Sequence, residues 1–230
     1  MTRLSLLREE IVACRACPRL VTWRERVARE KVARFRDWDY WGKPVPGFGD
    51  LRARILFIGL APGAHGANRT GRMFTGDRSG DFLFAAMHRA GLASQPTSTS
   101  RDDGLVLDDA FVVVAVRCAP PGNAPSPSEI ANCSRFVDAE IALLPRLRVV
   151  VALGAIAWRA YLDHCGRTGV PVPRPRPAFA HNAMIEIGGR TLLGSYHVSQ
   201  QNTQTGKLTQ AMFDAVLAEA KRRVGLPPRG

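Results

Sequence analysis

Four of the five cysteines have spacings that suit metal ligation. Cys14 and Cys17 form a CxxC pair, in which two thiolates of one tight turn can reach the same ion or cluster. Cys118 and Cys133 form a second pair, with fourteen residues between them, across which a helix can bring the second thiol back to the first. Four sulfurs fit structural zinc or an iron–sulfur cluster, and spacing alone does not choose between them. Cys165 stands alone in a helical pattern, which is typical of an inert core thiol.

Three unusual segments each directly follow an apolar run. They are GLAPGAHGANRTGRMFTGD at 59–77, RCAPPGNAPSP at 117–127 and YHVSQQNT at 196–203. The first offers glycines and backbone N–H groups that can bind an anion or a polar planar ligand. The third offers an imidazole beside a serine. Each feature is weak by itself, because glycine-rich loops are common in α/β proteins and a lone histidine is more often structural.

Strand and helix patterns alternate along the chain. The apolar runs at 54–59, 111–117, 148–154 and 191–196 are typical of strands that are covered on both faces. Helical patterns fall at 3–13, 19–41, 79–91, 127–144, 154–164 and 207–223. This alternation predicts a parallel sheet with helices on both faces, and 230 residues are enough for one such domain or two small ones. In such sheets the ligand lies at the carboxyl ends of the strands, where all three unusual segments begin.

The charge balance favours a polyanionic partner. Lysine and arginine number 32 against 20 acidic residues, and the formal net charge is +12. A surplus of this size favours binding to nucleic acid, because neutralised phosphates release counterions. An arginine-rich proteome is the alternative explanation. Glu9 and Glu10 interrupt the place where a signal peptide needs its apolar core, which predicts a cytoplasmic protein.

Taken together, the motifs resemble the uracil-DNA glycosylase superfamily, and most of all its iron–sulfur branch called family 5 or type b. The resemblance extends from Cys14 to about residue 223. It rests on the N-terminal CxxC, GLAPG at 59–63, GRMFTG at 71–76, CAPPGNAPSPSEIANC at 118–133, and HVS at 197–199 followed by QQNTQTG.

The resemblance implies a fold, a cofactor and a set of site residues. The fold is a three-layer α/β/α sandwich around a central four-stranded parallel sheet, formed as a single domain over residues 1–230. It implies a [4Fe–4S] cluster rather than zinc, with the ligands Cys14, Cys17, Cys118 and Cys133. The side-chain roles that it implies are stacking of the flipped base on Phe74, reading of the Watson–Crick edge by Asn123, and donation toward the pyrimidine O2 by neutral His197. Gly63 and Ala64 of the first loop are expected to contact the substrate as well. The implied partner is DNA with uracil or other deaminated bases, bound by a monomer.

The chain departs from the better-known branches at the start of the first loop. Those branches carry a carboxylate or an amide at the positions that Leu60 and Ala61 occupy here, and neither of these side chains can activate water. Family 5 shares this absence. Asp77 is the candidate replacement, and its alternative role is a helix N-cap, since a helical pattern follows directly. Asn68 is a lesser candidate for holding the water.

Two other functions stay open on the residues alone. A non-catalytic nucleic-acid-binding module with zinc or an iron–sulfur cluster explains the charge and the cysteines. It does not explain the HVSQQNT and FTGD motifs. A small-molecule hydrolase or transferase on the same scaffold explains the glycine loop as a phosphate site. The hypothesis favoured here is a monofunctional DNA-repair glycosylase that flips uracil out of DNA and hydrolyses its N-glycosidic bond.

Overall fold

The computed structural model describes residues 2–227 and has one mixed sheet with helices on both faces. The strands are β1 (Phe48–Gly49), β2 (Ile55–Gly59), β3 (Ala110–Val114), β4 (Val149–Leu153), β5 (Met184–Ile187) and β6 (Arg190–Ser195). The α-helices are α1 (Arg3–Ala13), α2 (Pro18–Glu30), α3 (Ala67–Thr70), α4 (Arg78–Arg89), α5 (Pro127–Ala142), α6 (Ala155–Arg167), α7 (Gln200–Gln204) and α8 (Gln210–Arg223). Short 3₁₀ turns occupy Ala33–Phe35 and Pro121–Asn123.

The sheet has six strands in the order β1-β3-β2-β4-β6-β5, so the prediction of four strands was wrong. The four predicted strands form its parallel centre, and β1 and β5 add antiparallel edges to β3 and β6. The edge strands were not predicted because a strand at the edge of a sheet needs no continuous apolar run. β1 has two residues, and β5 leaves Met184 and Glu186 exposed.

The central strands are buried on both faces, as their sequences predict. On one face, Phe57, Val112 and Val151 pack in a core that includes residues of α4 and α8. On the other, Leu56 and Val150 pack in a core that includes residues of α5 and α6. These two cores are the reason that the strands consist almost entirely of aliphatic and aromatic residues, and they confirm the three-layer architecture.

The helical pattern predicted for 19–41 was too long. α2 ends at Glu30, and Lys31 has a φ of 54°, a left-handed value that interrupts helical geometry. The aromatic residues that follow had suggested a continuing amphipathic helix. Two of them instead pack on a buried arginine, since the rings of Phe35 and Trp38 lie 3.8 and 4.1 Å from the guanidinium carbon of Arg69.

Candidate functional site

A cavity of about 390 Å³ opens where β2 and β6 end, at the carboxyl edge of the parallel strands. The three segments that the sequence analysis singled out all contribute to it. Its lining is Leu60, Ala61, Gly63, Phe74, Asp77, Ser79, Gly122, Asn123, His197, Ser199, Gln201 and Asn202. The volume falls within the range of small-molecule sites in proteins. Five of the six predicted catalytic and substrate-binding residues therefore meet in one place.

Phe74 and Asn123 both have positive φ angles, which few residues other than glycine adopt. Their φ angles are 51° and 56°, in the left-handed region. Asparagine tolerates this region, but for phenylalanine it is strained, and such strain concentrates at functional sites. Room for the Phe74 ring comes from Gly59 at the end of β2, where an added Cβ would lie 2.6 Å from the ring atom Cζ. A glycine is therefore needed under this ring.

His197 lies close to Phe74, with 6.3 Å between the ring centroids. The Nδ2 of Asn202 donates to the His197 carbonyl at 2.8 Å, which fixes the backbone of the loop. Burial lowers the pKa of His197 to about 4, since the surrounding protein disfavours the charged ring. At neutral pH the imidazole is therefore uncharged and keeps one N–H donor.

Asp77 divides its two carboxylate oxygens between two tasks. Oδ1 accepts from the Gly80 N–H at 3.0 Å and so caps α4. Oδ2 lies against two glycines of the first loop, because a Cβ added to Gly66 would sit 1.9 Å from it and one added to Gly63 would sit 2.8 Å from it. Burial raises the pKa of Asp77, although the N–H groups of Gly80 and Ser79 oppose this effect. The carboxylate is thus an N-cap that also lines the cavity.

Arg69 connects the first loop to the segment that carries Asp77. Its Nε donates to the His65 carbonyl and its Nη2 to the Gly76 carbonyl, both at 2.8 Å. The guanidinium lies against the rings of Phe35 and Trp38 and is almost fully buried. These contacts fix the position of Gly76, the residue before Asp77, relative to the first loop, which surrounds the Asp77 carboxylate.

Two other candidates lie outside the cavity lining. Ala64 is half-buried, and its carbonyl accepts from the Nδ2 of Asn68 at 3.4 Å. Asn68 is fully buried and also donates to the Arg24 carbonyl at 3.2 Å, so its amide ties the first loop to α2. The position of Asn68 favours a structural task over holding a water molecule.

The cysteines of the two predicted pairs come together beside this cavity, since Ala61 lines the cavity and also packs against their cluster. Cys17, Cys118 and Cys133 are buried in one small cluster with Leu20 and Val116. Burial, with smaller contributions from the thiols of Cys133 and Cys14, raises the pKa of Cys118 to about 12, although Arg24 acts in the opposite direction. Within residues 2–227, no group of three or more histidine, cysteine or acidic side chains could hold a single metal ion.

The groups around these thiols suit an anionic sulfur-ligated centre. The Nη1 of Arg24 donates to the Cys118 sulfur at 2.9 Å, and the Nδ2 of Asn132 donates to the Cys17 sulfur at 3.5 Å. Arg24 is 1% exposed, and its Nη2 forms a long ion pair of 4.0 Å with Glu25, beyond hydrogen-bonding distance. A buried cation also needs hydrogen-bonded negative partners. Thiolates that bind an iron–sulfur cluster carry such a charge.

Sequence reasoning missed several polar groups at the cavity. Gln201 and Asn202 line it, but the sequence indicates them only as members of the QQNT motif, with no individual role. Arg69 had no local signal, because its partners lie more than thirty residues upstream in Phe35 and Trp38. Only the folded chain shows these contacts.

The helices contain no membrane-spanning candidate: within residues 2–227 none combines the length and the apolar character that crossing a bilayer requires.

Comparisons with known proteins agree with the geometry. The family model of the uracil DNA glycosylase superfamily matches residues 46–221. A type-5 uracil-DNA glycosylase of Thermus thermophilus is 56% identical over 219 residues, which cover 95% of this chain and 97% of the relative. That of Mycobacterium tuberculosis is 53% identical over 218 residues, or 94% and 80% of the two chains. A type-4 uracil-DNA glycosylase of Thermotoga maritima is 33% identical over 67% of this chain. The chain belongs to the uracil DNA glycosylase superfamily.

Proposed function

We propose that this protein excises uracil from DNA by hydrolysing the N-glycosidic bond of a flipped-out nucleotide. The observation that carries the proposal is the single 390 Å³ cavity that Phe74, Asp77, Asn123 and His197 line together. Relatives named as uracil-DNA glycosylases cover nearly the whole chain and support the same activity. The net charge of +12 supports a nucleic-acid substrate.

The cavity supplies one group for each surface of an extruded base. Phe74 offers a ring face for stacking, and Asn123 offers an amide with both a donor and an acceptor for the Watson–Crick edge. His197, uncharged at neutral pH, donates an N–H toward O2 of the pyrimidine. As the C1′–N1 bond breaks, its electron pair moves onto the base, and a preorganised donor stabilises the negative charge there.

Asp77 stabilises the other half of the charge separation. The departing base leaves positive charge on C1′ of the sugar, and a carboxylate close to that carbon lowers the energy of this cation. Water then forms the new C1′–O bond and loses a proton, which balances the charge of the departing base anion, and an abasic site remains. Because Oδ1 caps α4, Oδ2 is the oxygen that acts on the sugar or the water.

The beginning of the first loop supports a pocket that is not exclusive for uracil. Leu60 and Ala61 line the cavity with apolar side chains, which impose no hydrogen-bond pattern of their own on the base. At these two positions a change of base leaves no polar group unpaired, so this part of the pocket does not select against other bases. Hypoxanthine and xanthine are therefore proposed as further substrates.

The four cysteines are proposed to hold a [4Fe–4S] cluster. Three buried thiols, the nearby Cys14 and the two donors Arg24 and Asn132 support this donor set. A bound cluster would supply a structural crosslink between the N-terminal segment and residues 118–133 in what is proposed to be one domain. Asn123 lies in that stretch, so the crosslink also steadies the loop that contacts the base.

The decisive test is incubation with a single-lesion oligonucleotide, followed by alkali, which cuts DNA at abasic sites. We expect strand cleavage at uracil and weaker cleavage at hypoxanthine and xanthine, with undamaged DNA of the same sequence as the control. A non-catalytic DNA-binding module would bind all of these oligonucleotides and leave every one uncut. Cleavage at uracil alone would disprove the broader substrate range and keep the main proposal.

A further inference from the structure

A second cavity, of about 470 Å³, adjoins the one proposed to hold the base. Asp77 lines both cavities, and Gln200 of the second precedes Gln201 of the first. A strand of DNA whose nucleotide enters the first cavity must continue past its rim on both sides. The second cavity lies where one of these continuations would run, and we call it the flank groove.

The flank groove combines aromatic rings with guanidinium groups. Trp38 is 37% exposed there, and the buried face of its ring meets the guanidinium of Arg69 at 4.1 Å. The guanidinium of Arg34 lies 4.6 Å from the ring centroid of Phe35. Exposed rings beside arginines are what proteins use to bind single-stranded nucleic acid, with stacking for the bases and cations for the backbone.

One polar group of the groove lacks a partner. The Nη1 of Arg69 is buried and makes no hydrogen bond within residues 2–227, whereas Nε and Nη2 of the same side chain are both bonded. Arg69 as a residue is 3% exposed. A buried N–H without an acceptor is costly, and the Arg69 side chain therefore keeps one unsatisfied donor beside the groove.

The charge of the groove also suits DNA. The arginines Arg34, Arg69 and Arg78 line it against the two carboxylates Asp77 and Asp81. Arg34 and Arg78 are exposed, and no acidic partner forms an ion pair with either within the described residues. They are therefore available to phosphates, which carry no sequence information but fix the register of the strand.

We propose that the flank groove binds the DNA strand immediately beside the flipped nucleotide, with Trp38 against a base and Arg34 and Arg78 against phosphates. This inference rests on the proposed function and adds a second binding site to it. It requires the strand to be unpaired where it meets Trp38, since a paired base has no free face for the ring.

The test uses single-stranded oligonucleotides with 2′-fluorodeoxyuridine, whose fluorine resists cleavage because it destabilises positive charge at C1′. The oligonucleotide carries several nucleotides on the 5′ side only, on the 3′ side only, or on both sides. Fluorescence anisotropy gives the affinity gain that each extension brings. Wild-type protein is expected to gain strongly from one of the two extensions.

Trp38→Ala should cut this one gain by about 5- to 100-fold, the range for loss of one base stack. Trp38→Phe should recover part of it. Arg34→Ala and Arg78→Ala should each lower the salt dependence of the same gain by about one counterion. Arg34 is exposed, so its variant tests the groove even if Trp38→Ala is unstable.

Arg146→Ala is the matched control, because this exposed arginine precedes β4 at the opposite end of the strands. This substitution removes the same charge and should leave the affinity gains from the 5′ and the 3′ extensions unchanged. Equal gains in wild type and all groove variants would overturn the inference while uracil cleavage persisted. Absence of any uracil cleavage by wild-type protein would instead overturn the proposed function, and the flank groove with it.

Discussion

At the scale of single residues, the two oxygens of Asp77 separate folding from chemistry. Oδ1 accepts the Gly80 N–H that begins α4, and Oδ2 faces the glycines of the first loop. An asparagine can replace the first contact, since its side-chain oxygen caps helices as well as that of aspartate. It cannot replace the negative charge. The two tasks can therefore be separated by a single substitution.

Asp77→Asn should keep the fold and lose the reaction. We expect a change in unfolding free energy within about 0.5 kcal/mol, as for a retained cap. The single-turnover rate on uracil should fall by a factor on the order of 10² or more, as for the loss of one charge-stabilising group. Asp163→Asn removes a partly exposed carboxylate from α6, where it pairs with Arg176, and serves as the control. A normal rate in Asp77→Asn would assign Asp77 to capping alone.

His197 should act as a neutral donor throughout the physiological pH range. Its pKa is about 4, so the ring is uncharged at every pH well above that value. The rate should therefore show no inflection near pH 6.5, the ordinary histidine value. His197→Ala should lower the rate by about 10² to 10³ at all these pH values. An inflection near pH 6.5 that disappears in the variant would contradict a neutral ring.

The same shift predicts how stability depends on pH. The unfolded chain protonates this histidine as pH falls through about 6.5, whereas the folded protein does so only near pH 4. Between these values the unfolded state binds more protons. The contribution of His197 to stability is thus complete above pH 6.5 and is lost progressively as pH falls toward 4.

At the scale of elements, short backbone approaches at the strand ends determine the shape of the site. Gly59 ends β2 beneath the Phe74 ring, and Gly63 and Gly66 surround the Asp77 carboxylate. Side chains at these positions would displace the groups that line the cavity. The glycines are thus required by packing between loops, and the two that surround Asp77 adopt no positive φ.

Gly66→Ala should damage the site more than the fold. An added Cβ would meet the Asp77 Oδ2 at 1.9 Å, so the carboxylate must move away. We expect a fall in the single-turnover rate comparable to that of Asp77→Asn. Gly166→Ala is the control, because a Cβ at this position of α6 meets nothing within 4 Å. That change should stabilise the protein by up to about 1 kcal/mol through helix propensity. A normal rate in Gly66→Ala would show that Asp77 need not keep its place.

At the scale of the whole molecule, the cysteine cluster joins parts of the chain that are distant in sequence. Cys14 and Cys17 flank the junction of α1 and α2, whereas Cys133 lies in α5. The Arg24 side chain links the two parts as well, since it donates to the Cys118 sulfur and to the Cys14 carbonyl. A metal centre here would therefore hold the N-terminal helices against the sandwich.

Cys17→Ser should remove iron and thermal stability together. Iron content and visible absorbance of the purified protein measure the first, and the unfolding midpoint measures the second. Cys165→Ala is the matched control, because this buried thiol packs in the core between the sheet and α6, away from the cluster. It should keep its iron. A protein that lost its iron but kept its melting curve would argue against a structural role.

Taken alone, the amino-acid sequence predicts the layers of the fold and places most of the candidate residues at one edge of the sheet. Continuous apolar runs identify central parallel strands, because these are buried on both faces, and the motifs that follow them must then share one edge. Phe74, Asp77, Asn123 and His197 meet there as the family resemblance implied. The spacing of the cysteines alone suggested a common site for Cys14, Cys17, Cys118 and Cys133.

Features that depend on contacts between distant segments could not be predicted from local sequence patterns and are seen only in the folded structure. The edge strands β1 and β5 have no distinctive sequence pattern, and α2 ends at Glu30 although the residues after it look helical. Arg69 finds its aromatic partners thirty residues away, and the glycines near Asp77 matter through their distance from its carboxylate. Local patterns report how a segment is buried, whereas the identity of its neighbours emerges only when the chain is packed.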